Sequence, residues 1–190
     1  LSFTAKQVPS FSQFLGQGFY VTACTGISIK EFFTQQLEMN PQYLEERVQT
    51  ILLDGQPVDD TDSAKVINGS VLALSAALPG VLGATLRKGG YYAAMRSHIT
   101  YTSNLACEQD QQGWVIIKLF NLIAKELGPL FLARGILIQA TELADFLQRQ
   151  GSVFWRLCRE ATLNGQSQIA QNLTDIQWPA DRLVHLQIQT

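Results

Sequence analysis

An amphipathic helix is the clearest element predicted by the pattern of apolar and polar residues. Ser28 and Glu31 have the spacing of a capping box, in which each side chain bonds a backbone N–H group that would otherwise have no partner. The pair Asn40-Pro41 predicts the end of the helix, because the residue before a proline disfavours the helical conformation. Between these limits the helical spacing of apolar positions predicts a buried face formed by Phe32, Phe33 and Leu37.

Short apolar runs on both sides of this helix predict strands separated by tight turns. The runs cover residues 1–8, 19–25, 48–53 and 70–76. The dipeptides Asp54-Gly55 and Asn68-Gly69 are typical of tight turns and predict reversals of the chain beside the two later runs. The order strand, strand, helix, strand, strand predicts a mixed sheet with the helix packed across one face.

The second half of the chain predicts a new alternation of strands and helices. Predicted strands cover 114–119, 136–138 and 183–188, and predicted helices cover 121–134, 141–150 and 153–162. Between the halves the chain is rich in glycine, tyrosine and basic residues and lacks periodicity, except for a short helix predicted over 91–96. The predicted fold class is therefore α+β, with a sheet-forming half over 1–80, a connecting loop over 81–113 and an α/β half over 114–190.

The first half resembles a known family. Residues 51–58 read Ile-Leu-Leu-Asp-Gly-Gln-Pro-Val, and residues 66–74 read Val-Ile-Asn-Gly-Ser-Val-Leu-Ala-Leu. Placed after a capped helix, these stretches resemble the ubiquitin-like β-grasp domain of sulfur carriers, such as the small subunit of molybdopterin synthase and the thiamine sulfur carrier. The resemblance implies a β-grasp-like N-terminal half, to which the C-terminal α/β half is appended.

The resemblance does not extend to sulfur-carrier chemistry. Such carriers end on a free Gly-Gly, whose carboxylate is adenylated and then carries sulfur. Here the corresponding point is Ala77-Leu78-Pro79-Gly80, in the middle of the chain, and Gly89-Gly90 is also internal. Carrier chemistry would need proteolysis near Gly90. The stretch 78–101 also resembles part of uncharacterised bacterial proteins, which implies no activity.

Composition and charge exclude some classes of partner. The chain is 46% hydrophobic and 16% charged, with a net charge of −2, so it lacks the electrostatic footprint of a nucleic-acid-binding protein. The uncharged stretch 66–86 has the length of about 20 residues that a membrane span needs, but Asn68-Gly69-Ser70 and Pro79-Gly80 break it into turn, strand and loop. We therefore expect neither a nucleic-acid nor a membrane partner.

The cysteines predict a reducing compartment. Cys24, Cys107 and Cys158 are odd in number, far apart and outside any CxxC spacing, so neither a disulfide framework nor a structural metal site is expected. The sequence has no basic start followed by an apolar core, so no signal peptide is predicted, and its start at Leu1 rather than Met indicates a trimmed chain. A cytoplasmic location is the resulting expectation.

One loop has the residue types of an anion-binding site. Adjacent glycine amides can surround an anion, basic side chains supply charge, and tyrosines supply stacking faces. The candidate ligand-binding residues are Arg87, Lys88, Gly89, Gly90, Tyr91, Tyr92, Arg96, Ser97 and His98. The spacing matches neither the P-loop nor GxGxxG, so no cofactor is predicted. The alternative is a loop that contacts another subunit, with glycines placed to meet turn requirements.

Candidate chemistry outside this loop is sparse. Asp59, Asp60 and Asp62 lack the glycine and distal glutamate of a calcium loop, which favours a solvated turn. The chain has two histidines, and if it uses a histidine base, His98 is the candidate, whereas His185 is expected on the polar side of a strand. Two functions follow as hypotheses. The first is a non-catalytic, self-associating or partner-binding protein, and the second is an enzyme or binding protein for an anionic small molecule.

Overall fold

The fold of the computed structural model is α+β, as predicted, and the structure describes residues 1–5, 8–96, 98–101 and 111–189. Its strands are β1 (Ser2–Ala5), β2 (Phe19–Thr25), β3 (Ile27–Ser28), β4 (Thr50–Leu53), β5 (Gln56–Pro57), β6 (Lys65–Val66), β7 (Val71–Ser75), β8 (Gln111–Phe120), β9 (Ile136–Gln139), β10 (Cys158–Leu163), β11 (Gln166–Gln168) and β12 (Leu183–Gln189).

The helices alternate with these strands. The α-helices are α1 (Ser12–Gln17), α2 (Ile29–Glu31), α3 (Pro41–Glu46), α4 (Gly80–Leu86), α5 (Asn121–Arg134), α6 (Ala140–Gln148) and α7 (Ser152–Leu157). Three 3-10 helices cover Val8–Phe11, Tyr91–Arg96 and Ala170–Asp175, and a π-helical turn over Phe32–Gln36 continues α2. Within the part of the chain that the structure describes, no helix combines the length and the apolar character needed to cross a bilayer.

Backbone contacts divide the chain into two compact units. Unit 1 consists of Leu1–Phe19 and Glu126–Thr190, and unit 2 consists of Tyr20–Lys125. This division differs from the predicted boundaries at 80 and 113. The reason is the pairing of β1, which runs parallel to β12 and antiparallel to β10, so the first strand belongs with the end of the chain.

Unit 1 has a sheet with the strand order β11-β10-β1-β12-β9. Its core is aromatic, with neighbouring ring centroids 5.1–5.7 Å apart among Phe3, Phe11, Phe14, Phe146 and Phe154. The predicted helix over 153–162 is wrong in its second half, because α7 ends at Leu157 and the following residues pair as strand β10 with β1 and β11. Between the predicted strands 1–8 and 19–25 the structure has α1, which the sequence interpretation did not predict.

Unit 2 has a mixed sheet with the strand order β2-β8-β7-β4-β5. β7 runs parallel to β8 and antiparallel to β4, and β5 pairs antiparallel with β4 across the Asp54-Gly55 turn. Asp54 and Gly55 both have positive φ values, 52° and 83°, as expected for a hairpin turn of the primed type. β1 pairs with strands of unit 1 instead, and β8, from the second half of the chain, lies between β2 and β7.

The two faces of this sheet differ in burial, because side chains alternate between faces along each strand. The register aligns buried residues in two rows, Ile51–Leu74–Leu119 and Leu53–Leu72–Ile117. The opposite face, here called the outer face, carries the rows Leu52–Ala73–Lys118 and Thr50–Ser75–Phe120. Leu52, Ala73 and Lys118 are half-buried, and Phe120 is exposed, so the outer face is partly open to solvent.

The capped helix of unit 2 forms as predicted at its start. Ser28 Oγ accepts a hydrogen bond from the Glu31 amide at 3.1 Å, and Glu31 Oε2 accepts one from the Ser28 amide at 2.9 Å. The hydrogen bonds donated by Ser28 lower the pKa of Glu31. Phe32, Phe33 and Leu37 are buried. The predicted end is wrong: the helical segment ends at Gln36, and Asn40 caps α3 instead by accepting a hydrogen bond from the Gln42 amide.

Candidate functional site

The segment between β7 and β8 contains the predicted ligand loop, and residues 79–101 of it are here called the insert. The insert is more helical than predicted, because α4 precedes the 3-10 helix that was expected over 91–96. The sequence did not predict α4, because Gly80 and Gly83 lie within it and glycine is a poor helix former. Gly83 lies so close to the Leu78 carbonyl that a Cβ atom would have no room there.

Arg96 anchors the insert from inside. Its side chain is almost fully buried, with 4% of its surface exposed, and Nη2 forms an ion pair with Asp59 Oδ1 at 2.7 Å. The other guanidinium nitrogens donate to Thr85 O at 2.6 Å and to Thr100 Oγ1 at 2.8 Å. Nη2 also donates to Arg87 O at 3.2 Å. All three guanidinium nitrogens of Arg96 therefore form hydrogen bonds within the chain. This predicted ligand residue thus supports the insert.

Two more of the predicted ligand groups have partners within unit 2. The Gly89 amide donates to the same Asp59 oxygen at 2.9 Å, so this nitrogen already faces a carboxylate. Lys88 Nζ donates to Leu44 O at 3.0 Å. Burial lowers the pKa of Lys88, against the opposing effect of the Glu45 carboxylate. These bonds tie the insert to its own unit and leave fewer donors for an anion.

Most of the predicted ligand residues line one shallow depression. It has a volume of about 370 Å³ and is lined by Ala84, Arg87, Lys88, Gly89, Gly90, Tyr91 and Tyr92. The structure thus brings together six of the nine candidate residues. His98 is exposed and does not line this depression, and Ser97 lies outside the described residues. Among the candidates, Arg87 combines a charge with an exposed side chain at the rim.

The insert exposes several large apolar side chains, which the sequence interpretation missed. Five large side chains there are 54–92% exposed: Val81, Leu82, Tyr91, Met95 and Ile99. They are here called the apolar surface of the insert. Single exposed apolar residues are ordinary in proteins, but several on one short segment indicate an interaction site. The sequence feature that could have indicated this apolar surface is the run of uncharged residues that follows Pro79.

The acidic residues before the insert have separate structural roles. Asp59 pairs with Arg96, and Asp62 forms an ion pair with Lys30 at 3.1 Å. Asp60 Oδ1 accepts hydrogen bonds from the amides of Asp62 and Ser63, and hydrogen bonds from these two residues lower its pKa. Over the described residues, no group of three or more His, Cys, Asp or Glu side chains is placed to hold a metal ion.

The two cysteines that the structure describes form no disulfide. Cys24 and Cys158 are free thiols, and Cys107 lies outside the described residues. Burial raises the pKa of Cys158 to about 11, so this thiol is protonated at neutral pH. It behaves as a small core residue of unit 1.

Comparison with known proteins adds no relative. No protein-family model, no curated protein and no solved structure matches this chain. Functional inference therefore depends on the geometry of the insert and of the sheet beside it.

Proposed function

We propose that this chain is a non-catalytic interaction protein that self-associates through the apolar surface of the insert. The observation that carries the proposal is the contrast between the two sides of the insert. Lys88, Gly89 and Arg96 bond to Leu44 and Asp59 within unit 2, whereas Leu82, Tyr91 and Met95 are exposed. These exposed apolar side chains are the area that the insert offers a partner.

The energetics favour association through this surface. Full burial of one large apolar side chain contributes about 1.5–3 kcal/mol. Tyrosine, methionine and arginine are enriched in interface cores, and Tyr91, Met95 and Arg87 supply all three types. The buried guanidinium of Arg96 holds the insert in place before a partner arrives, which reduces the entropy lost on binding.

The scaffold in this proposal is a β-grasp module. Ubiquitin-like sheets have two parallel strands at the centre, a hairpin on one side and a helix across one face. The parallel pair β7–β8, the hairpin β4–β5 and the Ser28-capped helix support this assignment for unit 2. Here the second central strand comes after the insert rather than at the start of the chain. We also propose a cytoplasmic location, supported by the free thiols of Cys24 and Cys158.

Self-association is expected to disappear when the apolar surface of the insert is made polar. The wild-type chain is expected to elute as a dimer or larger species in size-exclusion chromatography with light scattering, over a series of protein concentrations. The double variant Leu82→Ser/Met95→Ser is expected to be monomeric throughout, because it removes apolar area without touching the Arg96 anchor. Ile169→Ser is the matched control, since Ile169 is also exposed but belongs to unit 1.

Two results would contradict the proposal. A wild-type chain that stays monomeric at every concentration would remove self-association as the function of the insert. A double variant that associates as strongly as the Ile169→Ser control would place the contact elsewhere on the chain.

The depression beside Arg87 supports a second candidate function, binding of an anionic small molecule. The supporting observation is that six predicted residues line one depression that has a basic side chain at its rim. If phosphate binds there, the free energy of unfolding should rise by about 2.7 kcal/mol at a hundredfold excess over the dissociation constant. A thermal-shift titration with phosphate tests this, with Arg87→Gln expected to abolish the shift and Arg156→Gln, an exposed arginine of unit 1, expected to retain it. Equal shifts in both variants would exclude this depression as the site.

A further inference from the structure

The outer face of the unit 2 sheet has a depression at one end. The register aligns Thr50, Ser75 and Phe120 across three adjacent strands, with Leu52 and Ala73 in the next row of the same face. These five residues and Leu78 line a depression of about 230 Å³ whose exposed lining is entirely apolar. Five of its six lining residues are strand residues held in register, so the sheet sets most of its shape.

One polar atom in this wall has no partner. Thr50 is 2% exposed, and its Oγ1 atom is buried without a hydrogen bond to any described residue. Its neighbour in the row differs, because Ser75 Oγ accepts a hydrogen bond from Asn121 Nδ2 at 3.1 Å. Buried hydroxyl groups are nearly always paired, and an unpaired one destabilises the protein that contains it. The exception at Thr50 therefore needs a physical reason.

A second depression adjoins this one and shares lining residues with it. The second has a volume of about 140 Å³ and is bordered by the start of the insert, including Gly80, Gly83 and Ala84. Thr50 and Leu78 are the two residues that belong to both walls. The buried Thr50 hydroxyl thus belongs to a residue that both depressions share, next to the half-buried Leu78.

We propose that this depression binds an aromatic ring that carries one hydroxyl group, a ligand of the phenol class. The volume of the depression limits the size of the ligand. This volume is below the 300–1,000 Å³ of ordinary ligand pockets and above the roughly 150 Å³ that holds a benzene ring. The apolar lining and the exposed ring of Phe120 receive the apolar part of the ligand. The hydroxyl of the ligand bonds Thr50 Oγ1, which lies behind the apolar lining and is reached when the half-buried Leu78 side chain moves aside. This site does not use the apolar surface of the insert, so its test is independent of the test of the proposed self-association.

Phenol and toluene make a matched pair for the test, because they have the same size and differ in one hydroxyl. Amide chemical-shift titrations of the wild-type chain are expected to show both ligands shifting residues around Leu52, Ala73 and Phe120, with phenol bound about tenfold more tightly. That ratio corresponds to one net hydrogen bond of about 1.4 kcal/mol. Thr50→Val is expected to abolish the preference and leave toluene binding unchanged. Thr22→Val, at an exposed threonine of the same sheet, is expected to retain the preference.

Each outcome bears on the proposal. Equal affinity for the two ligands in the wild-type chain, shifts that avoid these residues, or an unchanged preference in Thr50→Val would each overturn it. N-acetyltyrosinamide serves as a third ligand, with N-acetylphenylalaninamide as its control. Binding of the tyrosine compound would assign the site to a tyrosine side chain of a polypeptide. Binding of phenol without the tyrosine compound would assign it to a free phenolic molecule.

Discussion

Replacing Phe33 with alanine is expected to lower the free energy of unfolding by about 3–5 kcal/mol. The ring is 1% exposed and packs edge-on against Phe32, with 5.7 Å between centroids, so its removal leaves a cavity behind the Ser28-capped helix. Urea denaturation followed by circular dichroism measures the change. Tyr91→Ala is the matched control, because that aromatic ring is 92% exposed and its loss should change stability by less than about 0.5 kcal/mol.

The outcome for Phe33→Ala also tests the scaffold. Equal stability of the Phe33→Ala and Tyr91→Ala variants would mean that the capped helix does not close the core of unit 2. Both variants should be compared at concentrations where the wild-type chain is monomeric, so that loss of self-association does not contribute to the difference.

Replacing Arg96 with methionine is expected to cost about 3 kcal/mol, the low end of the range for removing one partner of a buried ion pair. The low end applies because the Asp59 side chain is 33% exposed and is partly solvated when its partner is gone. The loss should be concentrated in the insert, whose amides should exchange with deuterium faster than those of β4 and β7. Arg87→Met is the matched control, since Arg87 is exposed and its side chain does not anchor the insert.

A conservative variant separates the charge of the pair from its geometry. Asp59→Asn keeps an oxygen that can accept from Arg96 and Gly89 but removes the carboxylate charge, so its cost should be smaller, about 1 kcal/mol. An Arg96→Met variant as stable as Arg87→Met, with unchanged exchange in the insert, would contradict the anchoring role of Arg96.

Local chemistry made several elements predictable from the sequence. The capping box at Ser28 determines where the helix begins, because both of its hydrogen bonds join residues three positions apart. The Asp54-Gly55 turn and the end of α5 depend on residues that tolerate positive φ, and Gly135 has a φ of 100° directly after that helix. Such signals need no knowledge of distant residues.

The remaining elements could not be predicted, because they depend on pairing between strands that are far apart in the sequence. The partners of β1 come from the last third of the chain, and no pattern near Ser2 indicates them. Residues 158–162 have helical spacing, yet pairing with β1 and β11 makes them a strand, since tertiary context overrides local propensity. In the candidate site, charge and glycine spacing pointed to residues 87–98 but did not predict the burial of Arg96, which depends on Asp59 reaching it from another segment.

The row Thr50–Ser75–Phe120 could not be predicted from the sequence for a related reason. Thr50, Ser75 and Phe120 become neighbours only through the parallel pairing of β7 with β8 and the antiparallel pairing of β7 with β4. Each is unremarkable in its own segment. A site formed by register across three strands therefore becomes visible only when the strand order is known.

The division into two units has a consequence for the order in which the chain folds during synthesis. Unit 2 is continuous in sequence, so its strands have all left the ribosome once Phe120 has emerged. β1 is translated before unit 2, whereas the strands that pair with it, β10 and β12, are translated after unit 2. β1 therefore remains without these partners while the whole of unit 2 is synthesised, and pairing between strands so far apart in sequence is intrinsically slow. Unit 2 can therefore fold before β12, the last strand of unit 1, has been synthesised.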